Sequence, residues 1–273
     1  MEEKEITCRD IERSIIKTFR KEIWCKFTKA INEYELISDG DKIAVCISGG
    51  KDSMVMAKLF QELIRHGKHN FELEFIVMDP GYAPANRAQI EKNAAIMEIP
   101  VHIFETDIFD ATTEIGSNIC YMCARMRRGN LYAKAKELGC NKIALGHHYD
   151  DVIETILMGM LYGGQMQGMM PKLHSTNFEG MELIRPLYLI RERDIIRWKN
   201  HNNLTFLGCA CKVTQSEEGS KRKEIKNLIY ELESKSPEIA FNIFRSAQNV
   251  NIDTLIEYKQ KGVRHNFLET YND

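Results

Sequence analysis

The stretch Ser48-Gly49-Gly50-Lys51-Asp52-Ser53 carries the residue types needed to hold an anion, and it lies between an apolar run, Lys42 to Ile47, and a helical pattern from Met54 to Leu63. Two adjacent glycines let the backbone turn tightly and approach a ligand closely. A helix starting here offers unpaired N–H groups and the positive end of its dipole to phosphate oxygens. Ser48 and Ser53 add hydroxyl donors, and Lys51 adds a point charge. The spacing is neither G-x-x-x-x-G-K-[ST] nor G-x-G-x-x-G, so neither γ-phosphate transfer nor dinucleotide binding is the expectation.

Cys120-Tyr121-Met122-Cys123 is a second set of residues with chemistry of its own, followed by Arg125, Arg127 and Arg128. Two thiolates three positions apart can share one metal centre, and the motif alone suits a redox pair, half of a zinc site or part of an iron–sulfur ligand set. The arginines either lower the thiol pKa values and meet phosphate, or form an ordinary solvated helix face. A third set is Gly146-His147-His148-Tyr149-Asp150-Asp151, at the end of a short apolar run. Adjacent carboxylates at a helix start cap that helix or, beside a phosphate loop, suit magnesium, which takes oxygen ligands. One of His147 and His148 is expected to face the cleft and the other to be structural, because only one side of a strand end can point there. Asp79, ahead of Pro80-Gly81, either lies close to nucleotide or makes the turn itself.

Apolar β-prone runs at 42–47, 71–78, 100–104, 141–145 and 183–189 alternate with helical patterns at 54–63, 86–98, 152–161 and 191–201. That alternation predicts an α/β fold with a doubly wound, mostly parallel sheet, in which ligands bind at the carboxyl ends of the strands. Residues 1–38 form a helical N-terminal segment, with apolar residues from Ile11 to Ile31 near helical spacing. Residues 39–205 form the phosphate-loop domain. Residues 206–273, charged and helical in pattern, form a small C-terminal subdomain. Cys8 and Cys25 are expected to be small buried thiols, and Cys46 and Cys140 to lie in the core. The glycine- and methionine-rich segment Tyr162 to Leu173 is expected to be flexible.

With 37 Lys and Arg against 39 Asp and Glu, the net charge is −2, so a nucleic-acid surface would have to be a local patch. No apolar run reaches the ~18 residues of a membrane span and no leader pattern opens the chain, which predicts a cytoplasmic protein with no membrane partner. Eight cysteines in that setting favour metal or redox chemistry over disulfides.

Ser-Gly-Gly-Lys-Asp-Ser matches, residue for residue, the pyrophosphate loop of the ATP pyrophosphatase (PP-loop) superfamily, whose members split ATP between its α and β phosphates. The loop, C-x-x-C with R-x-R-R-G after it, G-H-H-x-D-D, Y-G-G-x-M-x-x-M-x-P-K-L, the I-R-P-L strand, a late cysteine and Ser246-Ala247-Gln248-Asn249-Val250 together resemble the tRNA 2-thiocytidine synthetase (TtcA) family, over about residues 10 to 250. The resemblance implies a tRNA sulfurtransferase that uses ATP and Mg²⁺ to activate a pyrimidine C2 carbonyl, with a [4Fe–4S] cluster held by three cysteines. It places Ser48, Gly49, Gly50, Lys51, Asp52, Ser53, Asp79, Gly146 and His147 around the nucleotide, and gives Lys51, Asp52, Asp150 and Asp151 catalytic roles. Cys120 and Cys123 become two cluster ligands. The third is Cys211 on its offset from the following segment, with Cys209 as the alternative, because the chain has C-x-C where the family has C-x-x-C. tRNA, a sulfur donor such as a cysteine desulfurase, and a second copy of the chain are the implied partners. The competing expectation is an adenylating or amidating ligase of the same superfamily, whose four cysteines would form a structural zinc site.

Overall fold

The computed structural model describes residues 6–67, 69–106, 119–208 and 221–271. Two compact units form, one from residues 1–152 with 170–218 and the other from 153–169 with 219–273.

The first unit is built on a six-stranded sheet in the order β3-β2-β1-β4-β6-β5. Its strands are β1 (Lys42–Ile47), β2 (Glu72–Asp79), β3 (Val101–Glu105), β4 (Lys142–Ala144), β5 (Lys172–His174) and β6 (Glu182–Ile184). All neighbours pair parallel except β5, which runs antiparallel to β6. Lys172 and Leu173, expected in a flexible segment, are therefore strand residues, and the strand expected over 183–189 stops at Ile184 because a turn follows.

Alternation along β1 shows why both faces must be covered. Ile43, Val45 and Ile47 point into one apolar cluster, Ala44 and Cys46 into the other. Helices α3 (Lys51–His66), α4 (Pro84–Ile96) and α7 (Glu192–His201) supply the first cluster, through residues such as Phe60, Ala94 and Trp198. Helix α5 (Ile119–Glu137) covers the other face through Tyr132 and Ala135. Such two-sided burial is what a parallel sheet requires. Helix α6 (Tyr149–Gly163) starts in this unit and continues into the second.

The N-terminal segment is one bent helical rod: α1 (Cys8–Arg13), two π-helical stretches at Ser14–Thr18 and Arg20–Trp24, and α2 (Cys25–Glu33). The cause is legible in the buried row Ile11, Ile15, Phe19, Ile23, Phe27 and Ile31, which steps by four throughout. Four residues overshoot one α-turn of 3.6, so a pure α-helix would rotate this row off the core. Two five-residue hydrogen bonds, Phe19 N to Ser14 O and Cys25 N to Arg20 O, each take up one additional residue and bring it back. Cys25 sits between Ile23 and Phe27 on the outer side and is exposed, against expectation, while Cys8, Cys46 and Cys140 are buried. Ser14 accepts from Trp198 Nε1 at 3.1 Å and Asn202 Nδ2 at 3.0 Å, fixing the rod to α7. The wholly buried Lys58 donates to Glu12 at 2.8 Å and to the Met97 carbonyl at 3.0 Å, fixing it to α3 and α4.

The sheet's lower edge is held by a buried ion pair, Lys142 Nζ to Asp41 Oδ2 at 2.8 Å, with Asn141 Nδ2 donating to Asp41 Oδ1 at 2.7 Å. Burial opposes the Asp41 charge, but Lys142, Asn141 and the Ser38 N–H outweigh it and hold the carboxyl below its usual value of 3.8. A depressed carboxyl stabilises the fold above its unfolded pKa and loses that contribution as pH falls through the folded value. Asp41→Asn is therefore expected to cost about 3 kcal/mol in urea denaturation at neutral pH. The gap between variant and parent should close as pH drops below 3.8.

In the second unit, α8 (Lys221–Lys235) and α9 (Ile239–Ser246) bury Ile225, Ile229, Ala240 and Phe244. Tyr162 on α6 donates to Glu224 at 2.7 Å, and Arg222 pairs with Glu154 at 2.7 Å. The C-terminal end is not helical as expected. It forms a β-hairpin of β7 (Glu257–Gln260) and β8 (Val263–Asn266), turned through Lys261 and Gly262 at φ 49° and 88°.

Candidate active site

The residues 48–53 connect the carboxyl end of β1 to the first turn of α3. Gly49 has φ +80°, a conformation that strains any residue with a Cβ, and an added Cβ there would also meet Ile90 at 2.6 Å. Internal hydrogen bonds close the loop: Ser48 N donates to Ser53 Oγ at 3.1 Å, and Ser53 Oγ donates to the Gly50 carbonyl at 3.0 Å. Gly50 caps α3 with no side-chain hydrogen bond, which leaves the helix start to an anion.

Opposite this helix start, β4 runs out into Leu145, Gly146 and His147. A Cβ on Gly146 would lie 3.2 Å from Ser53 N and 3.3 Å from the Asp52 carbonyl carbon. Backbone atoms cannot give way as a side chain can, so glycine here is what lets the two chain segments close on each other. The cavity between them, about 350 Å³, is lined by Ser48, Asp52, Ser53, Gly146 and His147, and from the other side by Arg127 and Arg128 of α5.

Charges in and behind the cavity are arranged in pairs. Lys51 Nζ donates to Asp52 Oδ2 at 3.1 Å and to Glu192 Oε1 at 2.9 Å. Burial works against the Lys51 charge, yet the two carboxylates overcome it and raise its pKa. Burial pushes the Asp52 carboxyl up against the pull of His148 and Lys51. Asp52 Oδ1 is buried with no hydrogen-bond partner, and His148 Nε2 stands 3.9 Å from it. His148 is the buried member of its pair. It heads α6, with its N–H donating to Asp151 Oδ2 at 2.9 Å, and His147 is the one that lines the cavity.

The two aspartates divide their work. Asp150 Oδ1 accepts from Arg191 Nε at 3.0 Å, and Oδ2 accepts from the Glu192 N–H at 2.6 Å, so both oxygens are engaged in pinning the start of α7 to the start of α6. Asp151 stays beside His148 Nδ1 at 3.2 Å. Asp79 is likewise engaged, accepting from the N–H groups of Gly81 and Tyr82 on one oxygen and pairing with Arg87 at 3.3 Å on the other. It is absent from the lining of this cavity. Among the described residues no cluster of three or more His, Cys, Asp or Glu side chains is ready to hold a metal ion.

Asp150→Asn keeps the shape but removes the negative charge that the buried Arg191 guanidinium faces at 3.0 Å, so it should cost about 3 kcal/mol in urea denaturation. The same change loosens Glu192 and with it Lys51. A variant as stable as the parent would show that Arg191 is satisfied elsewhere.

Cys120 and Cys123 fall in the first two turns of α5, about two turns and one turn before Arg127; their side chains, like Cys209 and Cys211, lie outside the described residues. The segment leading to the late cysteines is anchored, because Leu207 N donates to the Gly49 carbonyl at 3.1 Å. Sequence reasoning missed Glu192, Arg191 and Leu207. Only the charged start of α7 hinted at the first two.

The PP-loop domain family matches residues 19–230. A tRNA-cytidine(32) 2-sulfurtransferase of Alcanivorax borkumensis is 36% identical over 246 residues, covering 88% of this chain and 84% of that protein. Another, from Francisella philomiragia, is 37% identical over 243 residues, covering 88% and 93%. Among solved structures, the U34-tRNA thiolase NcsA from Methanococcus maripaludis with its [4Fe–4S] cluster superposes with a TM-score of 0.69 at 24% identity, covering 85% of this chain and 79% of that one, and shares the fold.

Proposed function

The chain belongs to the PP-loop family and, within it, to the tRNA-cytidine 2-sulfurtransferases, and on that premise we propose that it activates the C2 carbonyl of a tRNA cytidine with ATP and exchanges its oxygen for sulfur. One observation carries the reading. The phosphate loop and the helix that bears C-x-x-C line the same cavity, through Ser48, Asp52 and Ser53 on one side and Arg127 and Arg128 on the other.

A carbonyl oxygen is a poor leaving group, and adenylation turns it into a good one. The bond from the C2 oxygen to the α-phosphorus forms as pyrophosphate departs; a sulfur nucleophile then makes the C2–S bond, and AMP leaves with the original oxygen. The N–H groups at the start of α3 and the Ser48 hydroxyl receive the phosphates, while Ser53 holds the loop closed through its bond to the Gly50 carbonyl. Lys51 exchanges its Glu192 contact for a phosphate oxygen and offsets charge on the departing pyrophosphate. Arg127 and Arg128 face the same anion from α5.

The donor type fits magnesium at Asp52, whose buried Oδ1 has no hydrogen-bond partner and whose carboxyl is pushed up by burial, so that a cation at that oxygen would replace the solvation it has lost. Bound there with ATP, the ion would neutralise phosphate charge. Cys120, Cys123 and one of Cys211 and Cys209 fit a [4Fe–4S] cluster in donor type and number, and with three protein thiolates such a cluster keeps one iron open to sulfur. Leu207, the last apolar residue before the late cysteines in sequence, is itself bonded to the phosphate loop. Among the described residues no helix is long and apolar enough to cross a membrane. We place the enzyme in the cytoplasm, where a cysteine desulfurase supplies the sulfur.

The test is anaerobic incubation of the purified protein with ATP, Mg²⁺, a sulfide source and unmodified tRNA. AMP, pyrophosphate and 2-thiocytidine in the digested tRNA are expected. ADP and phosphate as products, or thiolation of uridine alone, would overturn the assignment.

A further inference from the structure

Arg9, Arg13, Lys17 and Lys21 step by four along the N-terminal rod, on the side away from the core. All four are exposed, and none has an ion-pair or hydrogen-bond partner among the described residues. Like charges at i and i+4 repel across a helix surface, costing each pair a few tenths of a kilocalorie, and a face that is merely solvated alternates signs instead. The π-helical stretches hold this row in line for the same reason that they hold the buried row, since both step by four.

Three of these residues share a groove of about 470 Å³ with Arg65 and His66 from the last turn of α3. The acids in the groove are already countered: Glu12 by Lys58 at 2.8 Å and Arg65 at 2.7 Å, and Glu62 by Arg65 at 3.0 Å. The unpaired cations therefore stand in excess over local acids, in a chain whose overall charge is −2. An apolar partner has little to bury here, because Ile16 is the groove's one apolar lining residue.

We propose that this row is a track for the phosphate backbone of the RNA substrate, outside the cavity where the chemistry occurs. The inference rests on the tRNA reading and locates a surface that the reading leaves unassigned. A folded RNA cannot enter a 350 Å³ cavity beyond its reacting nucleotide, so the rest of the molecule has to be held elsewhere. Arg65 lies 14 residues along α3 from Lys51, about 20 Å away at 1.5 Å per residue. The track therefore acts on a part of the RNA separate from the target base. Evenly spaced cations without aromatic platforms suit backbone contact rather than base recognition.

The test compares the parent, the triple variant Arg9→Ala/Arg13→Ala/Lys17→Ala and a control that removes equal charge elsewhere, Lys136→Ala/Lys259→Ala/Lys261→Ala. Binding of unmodified cytidine-bearing tRNA is measured from 50 to 200 mM salt, with ATP affinity measured alongside. Losing three phosphate contacts should weaken tRNA binding on the order of 10²-fold at 0.1 M salt and flatten the log–log salt slope by about 2–3. ATP affinity should stay within twofold, and the control should stay near the parent.

An unchanged slope in the triple variant overturns the proposal, as does an equal loss in the control. Unchanged tRNA binding together with slower sulfur uptake from a protein donor would assign the groove to an acidic protein, and also overturns it. If the parent neither binds nor thiolates tRNA, the tRNA reading itself has failed. If the parent thiolates normally and the variants bind like it, only the track is wrong.

Discussion

Lys51→Ala is expected to reduce release of AMP and pyrophosphate by about 10³-fold while leaving the fold intact. The lysine stands at the first helical position of α3, its Nζ held by Asp52 and Glu192 beside the cavity rather than buried in apolar core. Its removal creates no large void. It leaves two carboxylates facing a polyphosphate with nothing between them, so binding of ATP as well as the chemical step should suffer. Lys51→Arg separates the contributions: charge is kept, but the longer planar head cannot take both carboxylate contacts at 3.1 and 2.9 Å. Partial rescue by arginine would mark an electrostatic role. Normal turnover in the alanine variant, measured by pyrophosphate release at saturating ATP, would remove Lys51 from the mechanism.

Cys120→Ala and Cys123→Ala should each lower bound iron from roughly four atoms per chain to near none, along with the cluster's visible absorption. Of the two late cysteines only one should behave likewise, Cys211 by preference, and Cys209→Ala should keep both iron and activity. A structural zinc site makes the opposite demand. It would use all four thiolates at Zn–S distances of about 2.3 Å, so that every single substitution weakens the metal. Anaerobic purification with iron and zinc analysis of the four variants therefore decides between a sulfurtransferase and an adenylating ligase. Zinc in the parent, with metal lost from both Cys209→Ala and Cys211→Ala, would withdraw the chemical basis for sulfur transfer.

Where local residue chemistry is enough to specify structure, the chain was legible. Two glycines between a continuous apolar run and an amphipathic helix fix the phosphate loop, and the alternation of such runs with helical patterns fixes β1 to β4. The site's electrostatics were hidden because its partners are distant in sequence: Asp150 looks like a free carboxylate until Arg191, 41 residues on, engages it. The late hairpin was hidden by charge, since Glu257, Lys259, Arg264 and His265 hide the period of two that apolar residues would have displayed. Its one signal was Lys261-Gly262, a two-residue turn of the kind hairpins favour. In the N-terminal rod the step of four was in plain view, and only its persistence over five repeats distinguishes a π-containing rod from an ordinary amphipathic helix.

The single hydrogen bond from the Leu207 amide to the Gly49 carbonyl makes the nucleotide loop and the run into the late cysteines parts of one mechanical linkage. Gly49 holds a φ of +80° that only glycine adopts without strain, with Leu207 packed against it, so displacement of one is felt by the other. Influence of this kind is reciprocal at equilibrium: any factor by which metal loading tightens ATP is the factor by which ATP tightens the metal. An enzyme wired in this way would grip nucleotide poorly before its metal centre is assembled, and apoprotein would be restrained from adenylating an RNA that it has no sulfur to complete.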